Sequence, residues 1–372
     1  MQRGCQRWLA KNSADPGGAF LLALARPRAT LAPILIKAEP SMLRQLVPIA
    51  LCLLGLALPA RAECLGQNLI ATLPEAERTA LYAQSHAVPF AQGNMWRATK
   101  AGQEITLVGT YHMDDPRHDA TMRRLEPALQ KATTLLVEAG PEEMAALKAR
   151  LAADPALMVV TDGPTLPEDL PADVWQRLSA AMQARGVPGF MAAKMQPWYL
   201  AMLLSIPPCA LDAMGEEQGL DARLIEAARA RGLPVRALEP YDTIFGIFGS
   251  FTRADQLSMI TATLALEDQS EDMSVTMADA YFAEESRLIW EFSRAQAQTL
   301  EGYTPDKVAH EFAVMEEAMM NRRNRGWIAV LTAAAAEGPV LAALGALHLS
   351  GSEGVLELLR AEGFTVERLA FQ

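Results

Sequence analysis

This sequence of 372 residues contains few of the side chains that usually form a catalytic centre. It has five histidines and four cysteines, and it lacks an H-E-x-x-H stretch. That absence excludes the best-known zinc-protease pattern, in which two histidines share one helix face. Basic residues are outnumbered by acidic ones, 33 to 44, which disfavours a surface that attracts polyanions. We therefore predict no nucleic-acid partner.

Long apolar runs are also scarce, and the clearest one lies near the N-terminus. It follows Met42 and Arg44, extends over residues 46–58 and precedes an A-x-A triplet at residues 60–62. A basic start, a short apolar stretch and A-x-A are the three parts of a secretory signal peptide. We predict that residues 42–62 are a signal peptide, that residues 1–41 are a start-site extension, and that the protein is periplasmic or secreted. A signal anchor that stays in the membrane is the alternative.

The chain left by this cleavage, residues 63–372, is acidic and poor in cysteine. Cleavage removes eight Lys or Arg and two Asp or Glu, which leaves 25 basic and 42 acidic side chains. Cys64 and Cys209 are the cysteines that remain, and in an exported chain they most simply form a disulfide. We predict no membrane span after cleavage, because no second apolar stretch is long enough. The oligomeric state stays open.

Apolar patterning predicts an α/β (α+β) fold with a small sheet built from the N- and C-terminal parts of the chain. Strands are expected at residues 96–99, 104–108, 134–138, 234–239, 340–345 and 365–371. Helices are expected at residues 68–88, 119–132, 141–153, 170–185, 190–204, 219–231, 252–267, 271–298, 304–336 and 352–362. We predict a single domain over residues 63–372, with a large helical insertion at about residues 166–330.

Two short motifs repeat one pattern in distant parts of the chain. Residues 109–112 (GTYH) and 345–348 (GALH) each follow an apolar run and have the form Gly-x-x-His. We attribute the glycine to a sharp backbone turn at the end of each strand. Since ligands bind at the carboxyl edge of parallel sheets, His112 and His348 are expected to meet there.

Glu138 ends a third apolar strand, TLLVE, and is expected at the same edge. Two imidazoles and one carboxylate are a common catalytic metal set, so we predict that His112, Glu138 and His348 are metal ligands. Glu138 is also a candidate general base. The ordinary alternatives are a turn histidine with one hydrogen bond, and a glutamate that pairs with a cation or caps a helix.

Other polar residues near these motifs have less specific signals. His118 is expected in an exposed loop, with a role near the substrate as the alternative. Asp114 and Asp115 are expected to cap the helix that follows them, and metal contact is the alternative. Glu239 ends a predicted strand as Glu138 does, so we regard it as a candidate for the same cleft.

With these motifs the chain resembles the TraB/GumN family, which includes the Tiki metalloproteases. The resemblance extends over about residues 64–372 and is nearest to the bacterial GumN-like branch. It is carried by the two Gly-x-x-His motifs, by Glu138 at a strand end and by the pair Arg323-Asn324. Three further matching stretches are QPWYLAMLL at 196–204, GLDARLIEAARARGLPVRALE at 219–239 and HLSGSEGVLELLRAEGF at 348–364.

The resemblance implies a fold related to erythromycin esterase and the ChaN-like haem-binding proteins. Through the Tiki members it implies a divalent-metal-dependent peptidase, with manganese or cobalt favoured and zinc as a further candidate. Carried over by position, His112, Glu138 and His348 are the metal or catalytic groups, and Arg323 and Asn324 are their catalytic polar partners. Arg323 would hold a substrate carboxylate or stabilise an oxyanion, and an ion pair at a helix end is the ordinary alternative.

From these residues we expect an exported metal-dependent hydrolase, above all a peptidase, that acts on a peptide or protein substrate. The alternative is a non-catalytic binding or regulatory protein of the same family. Such a protein would use the cleft to hold a peptide signal, a haem or a ligand related to exopolysaccharide production.

Overall fold

The computed structural model of the protein describes residues 64–211 and 219–372. The start-site extension and the signal peptide, predicted at residues 1–41 and 42–62, lie outside the described residues. Within the described residues, no helix has both the length and the apolar character that crossing a membrane requires.

The described chain forms a mostly helical α/β structure around one mixed sheet of six strands. The strands are β1 (Met95–Lys100), β2 (Gln103–Thr110), β3 (Thr134–Val137), β4 (Val235–Ala237), β5 (Val340–Gly345) and β6 (Thr365–Arg368). Their order in the sheet is β4-β3-β5-β2-β1-β6. The first four strands of that order are parallel, whereas β1 is antiparallel to β2 and β6. Both ends of the chain therefore contribute to the sheet, as predicted.

Sixteen α-helices surround the sheet in the part of the chain that is described. They are α1 (Leu69–Thr72), α2 (Glu75–Ser85), α3 (His118–Lys131), α4 (Pro141–Ala153), α5 (Leu166–Asp169), α6 (Ala172–Ala184), α7 (Gly189–Ala192), α8 (Pro197–Leu204), α9 (Leu220–Ala230), α10 (Thr243–Gly249), α11 (Arg253–Ala265), α12 (Ser270–Phe282), α13 (Ser286–Ala297), α14 (Pro305–Glu316), α15 (Arg322–Glu337) and α16 (Val355–Ala361). A π-helical turn, Glu317–Asn321, joins α14 to α15.

The central parallel strands β2, β3 and β5 are buried on both faces, which explains why they are largely apolar. Successive side chains of a strand point to opposite faces, so Leu107 and Val108 of β2 enter different cores. The first core is completed by α15 and α16, with Trp327 fully buried in it. The second is completed by α3, α9 and the end of α12. Both layers hold the carboxyl ends of the parallel strands in place.

A separate apolar cluster lies in the central helical region, away from the sheet. It is formed by α5, α6, α8 and α11, with Leu178, Leu200 and Ile260 fully buried. The same stretch of sequence also supplies β4 at the sheet edge. The middle of the chain is thus mostly helical, and it contacts the sheet through β4 and through α9 and the end of α12.

The predicted disulfide between Cys64 and Cys209 is present, with their Cα atoms 5.2 Å apart. It closes a loop over a sequence separation of 145 residues and ties the start of the described chain to its helical middle. Cross-links over long loops restrict the unfolded chain most, so this bond is expected to stabilise the folded protein.

Several helices are shorter than the sequence predicts, and each difference has a local cause. Pro74 directly precedes α2 and Pro197 is the first residue of α8, because proline lacks an amide hydrogen and is tolerated only at the start of a helix. The helix predicted at 271–298 is two helices, and Glu284, with φ at 60°, lies between them. The last strand ends at Arg368, earlier than the predicted residue 371.

Candidate active site at the carboxyl edge of the sheet

The parallel strands place four candidate residues at one edge of the sheet. Each residue lies just after the carboxyl end of a strand: His112 after β2, Glu138 after β3, Glu239 after β4 and His348 after β5. Because the strand order is β4-β3-β5-β2, these residues follow one another along the edge in the order Glu239, Glu138, His348, His112. The sequence-based prediction that these ends meet is consistent with this topology.

The glycines of the two motifs permit close approach of neighbouring atoms. A Cβ added to Gly109 would stand 2.9 Å from the Cα of Ala346, which belongs to the second motif. Neither Gly109 nor Gly345 has a positive φ. The expected sharp turn was therefore the wrong reason for these glycines. The first motif contains glycine because the second motif packs directly against it.

Gly345 marks the centre of the candidate site. A Cβ added there would lie 3.1 Å from Oε1 of Glu138, 3.4 Å from Cδ2 of His348 and 3.9 Å from Nε2 of His112. The two imidazoles and the carboxylate thus face the same small space. The fold brings together residues that are far apart in the sequence, and a side chain at position 345 would enter the space they share.

His348 is held from behind by Asn324 of α15. The Nδ1 of His348 lies 2.6 Å from Oδ1 of Asn324, while the amide nitrogen of Asn324 donates to the carbonyl of Glu353 at 2.9 Å. Since the oxygen of Asn324 must accept, Nδ1 carries the hydrogen and Nε2 presents its lone pair to the site. Burial, opposed only partly by Glu138, lowers the pKa of His348 to about 4. The imidazole is neutral at pH 7.

Arg323 lies between the acidic residues and His348. Its Nη2 donates to Oε2 of Glu138 at 2.6 Å and to Oε1 of Glu239 at 2.7 Å, and its Nε donates to Oε2 of Glu239 at 2.9 Å. Its Nη1 is 3.1 Å from Nε2 of His348. Trp327, one turn further along α15, donates to Oε2 of Glu239 at 3.0 Å. The predicted pair Arg323-Asn324 therefore contacts both Glu138 and His348.

Glu138 stays ionised although it is mostly buried. Burial alone would raise its pKa, but the charges of His348, Arg323 and His112 and the amide of Gly345 lower it to about 2. Since His348 is uncharged at neutral pH, the other three groups keep the carboxylate ionised there. The Gly345 amide donates to Oε1 at 2.6 Å, which fixes the orientation of the carboxylate.

His112 is held by the start of α9, through three consecutive residues. The amide of Leu220 donates to the carbonyl of Tyr111 at 3.1 Å, and Oδ1 of Asp221 lies 3.1 Å from Nδ1 of His112. A Cβ added to Gly219 would stand 2.7 Å from the Cα of His112. The hydrogen bond with Asp221 raises the pKa of His112 to about 9, despite an opposing effect of burial. The ring keeps 63% of its side-chain surface exposed.

Replacing Asp221 with asparagine is expected to lower the pKa of His112 from about 9 towards the ordinary value of 6.5. The variant loses both the charged acceptor and its attraction for the imidazolium ion. The pKa is measured by following the His112 ring protons by NMR across a pH series. Asp119→Asn is the matched control, because that exposed carboxylate pairs with Arg223. An unchanged His112 pKa in Asp221→Asn would contradict this assignment.

The space in front of these groups is a cavity of about 290 Å³. Its floor is the polar edge of the sheet, and its wall comes from α12, α13 and the π-helical turn. The wall is mainly apolar and includes Met277, Ile289, Trp290, Met319 and Met320. A cavity with a polar floor and an apolar wall can hold a small ligand and keep much of the water away from it.

His118 is not in an exposed loop, so that prediction was wrong. It begins α3, is fully buried and packs beside Tyr111, Tyr281 and Phe282. Its Nε2 bonds the carbonyl of Met113 at 3.0 Å, which holds the loop that carries His112. Burial lowers its pKa. His118 therefore stabilises the loop that carries His112 and does not face the cavity.

The two aspartates before α3 differ in their contacts. Asp115 accepts from the amide of Arg117 at 2.9 Å, but no side chain caps the start of α3, so the expected capping was wrong. Asp114 pairs with Arg223 of α9 at 2.8 Å. This ion pair joins the His112 loop to the helix that also carries Asp221.

The donor groups at this edge fit a divalent metal in chemistry. Both histidines have Nδ1 engaged by an oriented acceptor, Asp221 or Asn324, and this arrangement leaves Nε2 as the ligand atom, as in many metal sites. The positions are not arranged around a metal: among residues 64–211 and 219–372, no cluster of three or more His, Cys, Asp or Glu is ready to hold an ion. Arg323 contacts two of the three donors.

Two contacts of the site were not predicted from the sequence: Asp221 as the partner of His112, and Trp327 as the support of Glu239. Asp221 lies in the stretch GLD, where a glycine precedes a helix and an acidic residue enters its first turn. That signal is common to many helix starts. Glu239 was a candidate because it ends a strand, and it lies within hydrogen-bond distance of Arg323.

Comparison with known proteins supports the family resemblance. No curated protein matches the chain closely enough to count as a relative. The model of the TraB/PrgY/gumN family matches residues 94–368, which include β1 to β6 and every residue of the candidate site. This match covers more than half of the sequence, so the chain belongs to the TraB/PrgY/gumN family.

Proposed function

We propose that this protein is an exported metal-dependent hydrolase and that peptides are its substrates. The observation that carries the proposal is the convergence of Nε2 of His112, the ring of His348 and the carboxylate of Glu138 around Gly345. Two imidazoles and a carboxylate with a cavity in front of them match the donor set of a catalytic metal site. Part of the same proposal is a fold related to erythromycin esterase and the ChaN-like proteins.

In this proposal, His112, Glu138 and His348 hold manganese or cobalt, with zinc as a further candidate. When bound, the metal supplies a Lewis acid that polarises a carbonyl group and acidifies water. Glu138 is ionised and oriented by the Gly345 amide, which suits a metal ligand, whereas a pKa of about 2 makes it a weak general base. Arg323 points its guanidinium into the same space and can stabilise an oxyanion. The proton that His112 carries at neutral pH must leave before its nitrogen can bind a metal.

Export is supported by two independent observations. The sequence from residue 42 to residue 62 has the three parts of a signal peptide. Cys64 and Cys209 form a disulfide, and such bonds persist in oxidising compartments. Both observations support a location in the periplasm or outside the cell as part of the proposal.

A second candidate function is non-catalytic binding of a peptide signal, a haem or a ligand related to exopolysaccharide. It is favoured by Arg323, which already satisfies Glu138 and contacts His348. A site neutralised in this way can bind a ligand in its apolar-walled cavity with no metal present.

The first experiment is a metal count on purified protein loaded in turn with manganese, cobalt and zinc and then desalted. We expect about one ion per chain in the wild type and none in His112→Ala/His348→Ala. His310→Ala is the matched control, because this histidine is exposed and lies outside the site. The metal-loaded protein is then screened against a peptide library. No bound metal in the folded wild type, with any of the three ions, would contradict the hydrolase proposal and favour the binding protein.

A further inference from the structure

We propose that Arg323 is an internal cation that competes with the metal ion. The guanidinium and a divalent ion would exclude each other from Glu138 and His348, and Glu239 is the position to which Arg323 withdraws. This inference rests on the proposed metal site and concerns its regulation. Arg323 thereby acts as the group that sets the affinity for the metal.

The competition follows from the atoms that Arg323 uses. It donates to Oε2 of Glu138 at 2.6 Å and approaches Nε2 of His348 to 3.1 Å. Oε1 of Glu138 accepts from the Gly345 amide and keeps a second lone pair. The nitrogen Nε2 of His348 has one lone pair, so it cannot serve a guanidinium and a metal at the same time. A metal bound to this nitrogen must therefore displace Arg323 from it, and the two positive charges repel each other at Glu138.

Glu239 provides an alternative partner for the displaced guanidinium. It already accepts two hydrogen bonds from Arg323, at 2.7 and 2.9 Å, so these contacts can persist when the others break. The indole nitrogen of Trp327 donates a hydrogen bond to Glu239. The ring of Trp327 lies under the guanidinium of Arg323, with 4.9 Å between the ring centroid and Cζ of Arg323. Since Glu239 follows the edge strand β4, a movement towards it takes the charge of Arg323 away from His112.

The charges of the site explain why an internal cation is needed. Glu138 and Glu239 have side-chain exposures of 19% and 13%, so two carboxylates lie together in a place with little water. Buried carboxylates require a nearby positive charge. Arg323 supplies it when no metal is bound, and it would be repelled by a divalent ion in the same space.

The backbone around Arg323 suits a small displacement. Arg323 is the second residue of α15, directly after the π-helical turn Glu317–Asn321. A π turn contains one extra residue per turn and is often found at functional sites, because the helix can adjust there. Arg323 also donates to the carbonyl of Met319 within this turn, at 2.9 Å. Its contacts thus link the metal position to the wall of the cavity.

The test measures Mn²⁺ binding by titration calorimetry, with Zn²⁺ as a second probe. Arg323→Gln removes the competing charge, so we expect Mn²⁺ to bind about tenfold tighter than in the wild type. Arg325→Gln is the matched control, since it removes the same charge from the same helix where Arg325 pairs with Glu317 and Glu353. We expect the Mn²⁺ affinity of Arg325→Gln to equal that of the wild type within about twofold.

The Glu239→Gln substitution is tested both in the wild type and in Arg323→Gln. Two backgrounds are needed because the negative charge of Glu239 also attracts the metal ion directly, and the substitution removes that attraction. If Glu239 acts by drawing Arg323 away, Glu239→Gln weakens Mn²⁺ binding about tenfold in the wild type and little in Arg323→Gln. An equal loss in both backgrounds would show that Glu239 does not act through Arg323, and would overturn its role as the withdrawal position.

The folding of every variant is checked by circular dichroism and thermal unfolding. If Arg323→Gln does not fold, Arg323→Lys replaces it. Lysine keeps the charge but cannot donate several hydrogen bonds in the fixed geometry of a guanidinium, so Mn²⁺ should bind about threefold tighter than in the wild type. Equal or weaker binding in the folded variant, beside a wild type that binds one ion, would overturn the competition and leave the metal site intact. Binding in the variant alone would support it. No binding in any folded protein would overturn both proposals.

Discussion

Replacing Glu138 with glutamine is expected to lower the free energy of unfolding by about 3 kcal/mol at pH 7 and to abolish metal binding. Glutamine resembles the protonated carboxyl, and the folded protein prefers the ionised form, because His348, Arg323, His112 and the Gly345 amide together lower the pKa of Glu138 from 4.5 to about 2. The measurement is chemical denaturation of the wild type and the variant, with and without added Mn²⁺.

The same pKa predicts how this difference depends on pH. A carboxyl whose pKa is lowered on folding stabilises the protein fully above its unfolded pKa, here 4.5. The stabilisation is lost as the pH falls from 4.5 to about 2, so the wild type and Glu138→Gln should converge there. In the wild type, His348 causes a further loss of stability that begins at higher pH. Its pKa falls from 6.5 to about 4 on folding, so stability decreases as the pH falls through that interval.

A surface glutamate is the matched control for Glu138→Gln. Glu337 also pairs with an arginine, Arg236, but 65% of its side chain is exposed. Exposed pairs contribute roughly 0–1 kcal/mol, so Glu337→Gln should leave the unfolding curve almost unchanged. Equal effects of the two substitutions would mean that the Glu138 carboxylate is not specially stabilised, and the electrostatic description of the site would have to be abandoned.

Replacing Gly219 with alanine is expected to lower the free energy of unfolding by about 2–4 kcal/mol and to release His112. The added Cβ would stand 2.7 Å from the Cα of His112 and still closer to its carbonyl group. These are backbone atoms, which cannot rotate away as a side chain can. The φ of Gly219 is −60°, so alanine fits the backbone itself and the expected effect comes from the contact alone.

Two measurements check this second prediction. Denaturation curves report the stability, and NMR titration reports the pKa of His112, which should fall from about 9 because the bond to Asp221 is broken. Gly326→Ala is the control: Gly326 lies within α15 with no atom near the added Cβ. Alanine there should stabilise the helix by about 0.5–1 kcal/mol. A Gly219→Ala protein as stable as the wild type would show that α9 does not support the His112 loop so closely.

The fold could be predicted largely from local patterns. The apolar runs around Leu107, Leu136 and Leu341 identify buried strands, because a strand covered on both faces has little room for polar side chains. Residues Ala101 and Gly102 mark the β1–β2 hairpin, and both have positive φ in the structure. The ends of helices were harder to predict. The break between α12 and α13 at Glu284, which has a positive φ, has no strong local signal in the sequence.

The site was predicted in part, and the errors have a common physical origin. His112, Glu138 and His348 were selected because each follows a strand. The burial of His118 was missed, since its neighbours Arg117 and Asp119 are charged and two of its three aromatic contacts, Tyr281 and Phe282, lie far along the chain. The reason for Gly109 was also missed, because the atom that excludes a side chain there belongs to Ala346.

The sequence by itself determined which elements form and which family the chain resembles, because periodicity, turn residues and motifs are local properties. It also determined which strand ends carry histidine and glutamate. Only the tertiary structure decided the strand order, and with it that Glu239, Glu138, His348 and His112 lie side by side. It also decided that Arg323 stands among them. Charge pairing and close packing act through space between residues from separate parts of the chain, so no local pattern could specify them.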